Sequence, residues 1–205
     1  MIHGQKNHLR NLLFLFLLAL TGSVLLFPRL SAAAPPSAQT EAEGCTFPDM
    51  KKGAVLLLAD KDYYPALSRA IGCATSEIVM AFYLFSATTR PGNLPSAVIE
   101  KLIGAAKRGV AVTVILEREN EAASSLNRDN RDTAARLKHG GVEVNFDSPR
   151  VRTHTKTAVI DGRYVFMGSH NLTNSALKYN HELSVFIDSP ELAKETLEYM
   201  RGLSQ

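Results

Sequence analysis

The stretch from His154 to Asn171, HTKTAVIDGRYVFMGSHN, decides the fold. Two short runs rich in β-branched and aromatic residues flank Asp161-Gly162, and Asp-Gly between apolar runs is the strongest short-range signal for a β-hairpin. Strands are therefore expected over Thr153–Ile160 and Tyr164–Gly168. Alternate side chains of a strand share a face, so His154 and Lys156 project together while Thr153, Thr155 and Thr157 point away. The returning strand brings Ser169 and Asn171, again two apart, towards the first pair.

Upstream of the hairpin the pattern alternates. Ala54–Ala59 reads as a strand, Tyr64–Cys73 as a helix and Glu77–Phe85 as a buried strand. A helix follows from about Pro95 to Lys107, closed by Lys107 and Arg108 in its last turn and by Gly109, and then a strand over Val110–Leu116. The phrase repeats: a polar helix from Glu121 to Lys138, Gly140-Gly141, and a strand over Val142–Phe146. Downstream, a short helix over Leu172–Lys178 and a strand over Glu182–Ile187 complete the reading. The whole predicts an α/β fold, a mixed and largely parallel sheet with helices on both faces, in a single domain.

Imidazole, ammonium, hydroxyl and amide gathered at one end of a sheet suit a phosphodiester. The ammonium neutralises a non-bridging oxygen, hydroxyl and amide donate hydrogen bonds, and the imidazole attacks phosphorus or moves a proton. Each residue alone has a plain structural explanation, but a hairpin does not require His, Lys, Ser and Asn at specified positions. His154-x-Lys156, four residues, Asp161, six residues, then Gly168-Ser169-x-Asn171 resembles the complete signature of the phospholipase D superfamily. The order of elements from about Ala54 to Met200 is similar to its small single-motif bacterial endonucleases, as is Asn180-His181-Glu182 after the motif.

That resemblance implies His154 as nucleophile forming a phosphohistidine, Lys156 and Asn171 as phosphate binders and Ser169 as a supporting donor. It implies Glu182 as the carboxylate that orients the histidine. Asp161 is counted with the catalytic residues, although its place in the turn also suits it to shape the local network. A covalent mechanism of this type needs one histidine to attack and another to protonate the leaving oxygen. Only one motif is present, and the small endonucleases pair two identical chains about a twofold axis, so a homodimer with one shared site is expected. His170, between Ser169 and Asn171, points away by alternation and reads as structural.

No cofactor and no metal site are expected: His139, His154, His170 and His181 show no ligand spacing with cysteines or paired carboxylates. Arg150, Arg152 and Lys178 flank the motif as a rim for nucleic-acid phosphates. Tyr63, Tyr64, Phe82, Tyr83 and Phe85 read mostly as core rather than as a stacking platform. The formal net charge of +3 is matched by Lys6, Arg10 and Arg29 before Ala34, so global charge does not argue for nucleic acid.

The N-terminus is basic, then apolar from Leu12 to Leu20 and from Val24 to Phe27, then small over Ser31–Ala34. Residues 1–34 read as a secretory signal or an uncleaved membrane anchor, 35–46 as a flexible linker and 47–205 as the catalytic domain. The domain is thus expected outside the cytoplasm, in the periplasm or anchored facing it, where Cys45 and Cys73 are permitted to pair. The substrate expected is DNA, single-stranded or duplex, with RNA as an alternative. Two rivals stay open: a phospholipase or phosphatidyl-transfer enzyme acting on membrane lipids, and an anchored nucleic-acid-binding protein without turnover.

Overall fold

The computed structural model describes residues 53–203 apart from residues 122 and 149. The N-terminal signal or anchor, the linker and Cys45 lie outside the described residues, and Cys73 is an exposed free thiol. Seven strands among the described residues form one sheet: β1 (Ala54–Ala59), β2 (Glu77–Phe82), β3 (Ala111–Leu116), β4 (Glu143–Phe146), β5 (Lys156–Ile160), β6 (Tyr164–Gly168) and β7 (Leu183–Asp188). Their spatial order is β1-β7-β6-β5-β2-β3-β4. The helices are α1 (Tyr63–Cys73), α2 (Leu94–Lys107), α3 (Ser125–His139), α4 (Asn174–Lys178) and α5 (Pro190–Arg201).

The expected mixed α/β sheet with helices on both faces is present, but it is not largely parallel. Only β2 with β3 and β3 with β4 run parallel. The other four pairings are antiparallel. The difference has a connectivity cause. Parallel neighbours need a crossover, which α2 and α3 supply, whereas β5 and β6 are joined by a three-residue turn, Asp161-Gly162-Arg163, that enforces antiparallel pairing. Capping fixes where the crossovers begin: Asn93 accepts from the Ser96 N–H at 3.0 Å to start α2, and Ser124 accepts from the Asn127 N–H to start α3.

One sheet face carries Ile78, Met80, Phe82, Val114, Leu116, Ala158, Ile160 and Phe166, packed against Leu67 and Ile71 of α1, Ile99 and Leu102 of α2 and Leu137 of α3. The other face buries Ala81, Ile115, Val159 and Val165 under Ala193, Leu197 and Met200 of α5. Helix α5 had no counterpart in the sequence expectations, yet Ser189 caps it at the Leu192 N–H, 3.3 Å away, and Pro190 opens it.

The C-terminal ends of β2 and β3 are tied by a buried amide. Asn130 of α3 accepts from the Phe85 N–H at 2.9 Å and donates to the carbonyls of Tyr83 and Glu117 at 2.9 and 3.0 Å. This satisfies one backbone N–H and two carbonyls where the two strands leave the sheet, and it fixes Tyr83 relative to Glu117.

Asp161 stands at the other end of the sheet. Its backbone is left-handed at φ 54°, followed by Gly162 at φ 57°, and the Arg163 N–H closes the turn on the Ile160 carbonyl at 3.2 Å. Its carboxylate accepts from the backbone N–H groups of Thr75, Ser76 and Glu77 and from the hydroxyls of Thr75 and Ser76, at 2.9 to 3.2 Å. It therefore does not join His154: β5 runs between them, and Asp161 is a structural clasp rather than a catalytic residue. Burial pushes its carboxyl up, but the donors from Ser76, Thr75 and Glu77 outweigh burial and hold it below the usual carboxylate range.

A depressed carboxyl contributes stability above its unfolded value and loses it as the pH falls through the folded value. Asp161→Asn, which tolerates the same backbone, is expected to cost about 1–3 kcal/mol at neutral pH. The deficit, followed by urea unfolding, should shrink as the pH drops below the ordinary carboxylate range.

Candidate active site

The site forms at the edge where β2 ends, β5 begins and β6 ends. His154 lies two residues before β5, exposed, in the extended segment that enters the strand. The Thr155 carbonyl accepts from the Tyr83 N–H at 2.9 Å and the Thr155 hydroxyl donates to the Ala81 carbonyl at 3.2 Å, so the approach to β5 is already in register with β2. Lys156 is 7% exposed and its ammonium donates to the His154 carbonyl at 2.9 Å. Burial lowers the lysine pKa and the nearby Glu182 carboxylate raises it, with burial prevailing.

The Tyr83 ring faces both groups: its centroid is 4.5 Å from that of His154, and the Lys156 ammonium lies 5.2 Å above it. Expected mostly as core, this tyrosine is only half-buried and walls the site, with its hydroxyl donating to Glu119 at 3.2 Å. Its position one residue beyond β2, opposite Thr155, was the available signal. The His154 imidazole is held below its ordinary value of 6.5, by partial burial first and then by the charges of Lys156 and Arg152. A neutral ring is the form that can attack.

Ser169 and Asn171 follow β6. The Ser169 hydroxyl donates to the Glu182 carboxylate and accepts from the Leu183 N–H at 3.0 Å. Asn180 donates to the other Glu182 oxygen at 3.1 Å. Glu182 thus holds Ser169 and Asn180 within this chain, and its hydrogen bonds do not reach His154; the orienting role expected for it is not made by the single chain. The Asn171 amide oxygen is buried without a hydrogen-bond partner, an acceptor left unsatisfied beside the other motif residues.

Behind this edge Asp60 braces Glu182 from two sides. Its N–H donates to the Glu182 carbonyl at 2.9 Å, and its carboxylate accepts from the Glu182 N–H at 2.8 Å. The backbone at Asp60 is left-handed, φ 50°, which sequence gave no means of foreseeing. His170 is fully buried, bonded to the Ser184 hydroxyl at 2.7 Å and the Asp60 carbonyl at 2.9 Å, and stacked on Tyr63 with ring centroids 4.3 Å apart. It supports the brace rather than facing the site.

The expected phosphate rim is only partly assembled. Arg152 pairs with Glu119 at 3.3 Å, and the Lys178 ammonium is taken by the Gly92 carbonyl at 2.6 Å. Arg150 is exposed and lines an open groove with Glu117, Glu119, Asn120, Glu121 and Arg152. Carboxylates that would oppose a polyanion therefore share the groove with both arginines. No group of three or more His, Cys, Asp or Glu side chains placed to hold a metal ion occurs among the described residues.

A histidine, a buried lysine, a serine and an asparagine at one sheet edge, on this strand order, invite comparison with known proteins. Residues 67–203 match the family model described as the phospholipase D-like domain of cardiolipin synthase. The chain belongs to the phospholipase D-like family. Phosphodiester chemistry is what that superfamily shares.

Among curated relatives, a phospholipase D of Rickettsia bellii is 33% identical over 109 residues, 52% of this chain and 50% of the relative. Cardiolipin synthase A of Klebsiella pneumoniae is 31% identical over 130 residues, 58% of this chain and 25% of the relative. The chain therefore spans half the length, or less, of these relatives. The crystal structure of Nuc from Salmonella typhimurium, a phospholipase D family member, superposes with a TM-score of 0.62 at 25% identity, covering 74% of this chain and 94% of Nuc. NucT from Helicobacter pylori shares the fold, at a TM-score of 0.58 and 20% identity, over 75% of this chain and 96% of its own.

Gly168 closes the geometry of the phospholipase D-like site. A Cβ at this position would fall on the side chain and Cα of Ser184 and 2.5 Å from the Leu183 carbonyl oxygen, because β7 passes close beside it. That close pass lets Ser169 reach Glu182. Gly168→Ala is expected to destabilise the chain by about 1–3 kcal/mol through overpacking, measured by urea unfolding.

Proposed function

We propose that this chain is an exported, metal-independent phosphodiesterase that cleaves nucleic acid, DNA foremost and RNA as an alternative, as a homodimer with one shared site. The observation that carries the reading is the single copy of the motif, gathered at one edge of a fold that covers almost the whole of Nuc. A phosphodiester laid against this edge meets the Lys156 ammonium and the Ser169 and Asn171 side chains on its non-bridging oxygens. The neutral His154 ring attacks phosphorus, forming a P–N bond as the P–O bond to the leaving group breaks. A second protonated histidine gives its proton to that oxygen, and water then attacks the phosphohistidine and releases the product. The His154 of a second copy supplies this acid, and the exposure of His154 in the single chain favours that arrangement. Export, and membrane attachment through residues 1–34, rest on the sequence of the N-terminal segment.

A lipid reading has its own support. Val151 is 78% exposed and Leu183 55% exposed, each a neighbour in sequence of the motif residues, and the curated relatives are named for phospholipid enzymes. The deciding experiment offers the purified full-length protein single-stranded DNA, duplex DNA, RNA and phosphatidylglycerol vesicles in excess chelator. Nucleic-acid cleavage is expected, with a loss of at least about a thousandfold in His154→Ala. Turnover of the vesicles alone moves the assignment to lipid, and salt-sensitive DNA binding that survives His154→Ala without product identifies a receptor.

The pH dependence follows from the lowered His154 value. Attack needs a neutral imidazole and departure a protonated one, so the rate is expected to be bell-shaped. The acid limb should lie below histidine's ordinary 6.5. Arg152→Ala removes a positive charge beside the ring, raises its pKa and should move that limb to higher pH.

A further inference from the structure

Two neighbouring parallel strands end in carboxyl groups. Leu116 of β3 pairs with Phe146 of β4, so the residues that follow them, Glu117 and Asp147, emerge side by side. Each is only 2% exposed. Both accept the same proton donor, the Thr153 N–H, which lies 2.5 Å from a Glu117 oxygen and 3.2 Å from an Asp147 oxygen. The second Asp147 oxygen accepts from the Arg118 N–H at 2.8 Å. Thr153 is itself buried and is the residue immediately before His154.

We propose that Glu117 and Asp147 form a proton-sharing clamp that positions His154 by holding the backbone of Thr153. The segment entering β5 is fixed at two points, Thr153 by the carboxyl pair and Thr155 by Ala81 and Tyr83 of the β2 end, and His154 is suspended between them. The imidazole can then face Tyr83 and Lys156 although it makes no hydrogen bond of its own to either. The clamp rests on the reading of His154 as nucleophile, and it gives the two acids a task that does not involve touching substrate.

The pair holds together because one of its members keeps a proton. Two adjacent ionised carboxylates removed from water repel, and one N–H cannot compensate both. Burial, followed by the hydrogen bond that the protonated carboxyl donates to Asp147, raises Glu117 to about 7. The charged and titratable groups around it are Asp147 from the β4 end, Tyr83 from the β2 end, Arg150 and Arg152 from the segment leading to His154, and Glu119 and Glu121 from the loop after β3. Arg152 opposes the rise without cancelling it.

The sign of the pH effect follows. A carboxyl whose folded value lies above its ordinary 4.5 takes up a proton on folding, so its contribution is most favourable on the acid side and declines as the pH rises from 4.5 to about 7. Above that range Glu117 ionises, the hydrogen bond it donated to Asp147 is lost and the two carboxyl groups repel, which loosens the clamp although the Thr153 N–H itself favours a charged acceptor. Glu117→Gln keeps a neutral group of the same shape that can accept from Thr153 and donate to Asp147, but it cannot ionise.

The test uses the full-length protein with a chromogenic phosphodiester, measuring kcat and KM against pH for wild type, Glu117→Gln, Glu117→Ala and Asp147→Ala. Glu117→Gln is expected to match the wild-type kcat at about pH 6. At about pH 8 it should exceed wild type roughly tenfold, the fraction of clamp lost when a group with a value of about 7 ionises. The alanine variants should lose kcat with KM little changed. Superimposable profiles for Glu117→Gln and wild type, or a Gln variant as impaired as the Ala variant, overturn the proposal. Should wild type cleave no phosphodiester, the reading of His154 fails separately, and thermal melting decides the clamp. A wild-type Tm that falls between about pH 5 and pH 8 relative to Glu117→Gln supports the carboxyl pair, and parallel curves overturn it.

Discussion

The carboxylate of Asp161 accepts from three consecutive backbone N–H groups at Thr75, Ser76 and Glu77, just where β2 begins. Because β5 runs antiparallel to β2 from this point, the clasp sets the pairing of Ile160 with Ile78 and, four residues on, of Lys156 with Phe82. A slip of one residue would turn Lys156 out of its place beneath Tyr83 and move Ala158 and Ile160 out of the core. The hairpin carries that register across to β6, pairing Thr157 with Met167, and β6 passes it to β7 through Gly168 and Ser184. His154, Lys156, Ser169 and Asn171 thus arrive at the sheet edge through a chain of pairings that starts at the opposite end.

At that edge the balance of charge is local. Lys156 is buried, Glu182 is within electrostatic reach of it, and the His154 imidazole is held below its ordinary value by partial burial first and then by the same cations that would attract a phosphate. The rim beyond is not a uniform basic surface, since Glu119 answers Arg152 and a backbone carbonyl occupies Lys178. Recognition of a polyanion would therefore rest on the centre of the site more than on its flanks. A polymer substrate would gain further contacts where the arginine pairings open.

Much of this was legible in the sequence because the informative residues act locally. Asp161-Gly162 dictates a hairpin whatever surrounds it, Gly109 ends its own helix, and the His154 to Asn171 spacing is carried by that one hairpin. The remainder depends on contacts between distant segments. The share of antiparallel pairing reflects β7 returning to lie between β1 and β6, which no local period encodes. Asp161 looked like a member of the site because it belongs to the motif, and only the strand length between it and His154 separates them. The five neighbours of its carboxylate lie more than eighty residues away in sequence. Helix α5 was open to reading from Ser189-Pro190-Glu191 and the spacing of Ala193, Leu197 and Met200, a start signal and a helical period that the acidic character of the segment obscured.

Glu117 and Asp147 show why the least legible residues bear on chemistry. In sequence each is an acid following an apolar strand, a pattern that reads as a strand leaving the core for solvent. The parallel register of β3 and β4 turns two such exits into one buried pair, and the return of the chain before β5 covers them with Thr153. A histidine that must attack phosphorus has to remain accessible, so it cannot be fixed by burying its own ring. Fixing the peptide on either side resolves that conflict. The backbone is held rigidly by groups out of reach of water, while the imidazole stays exposed.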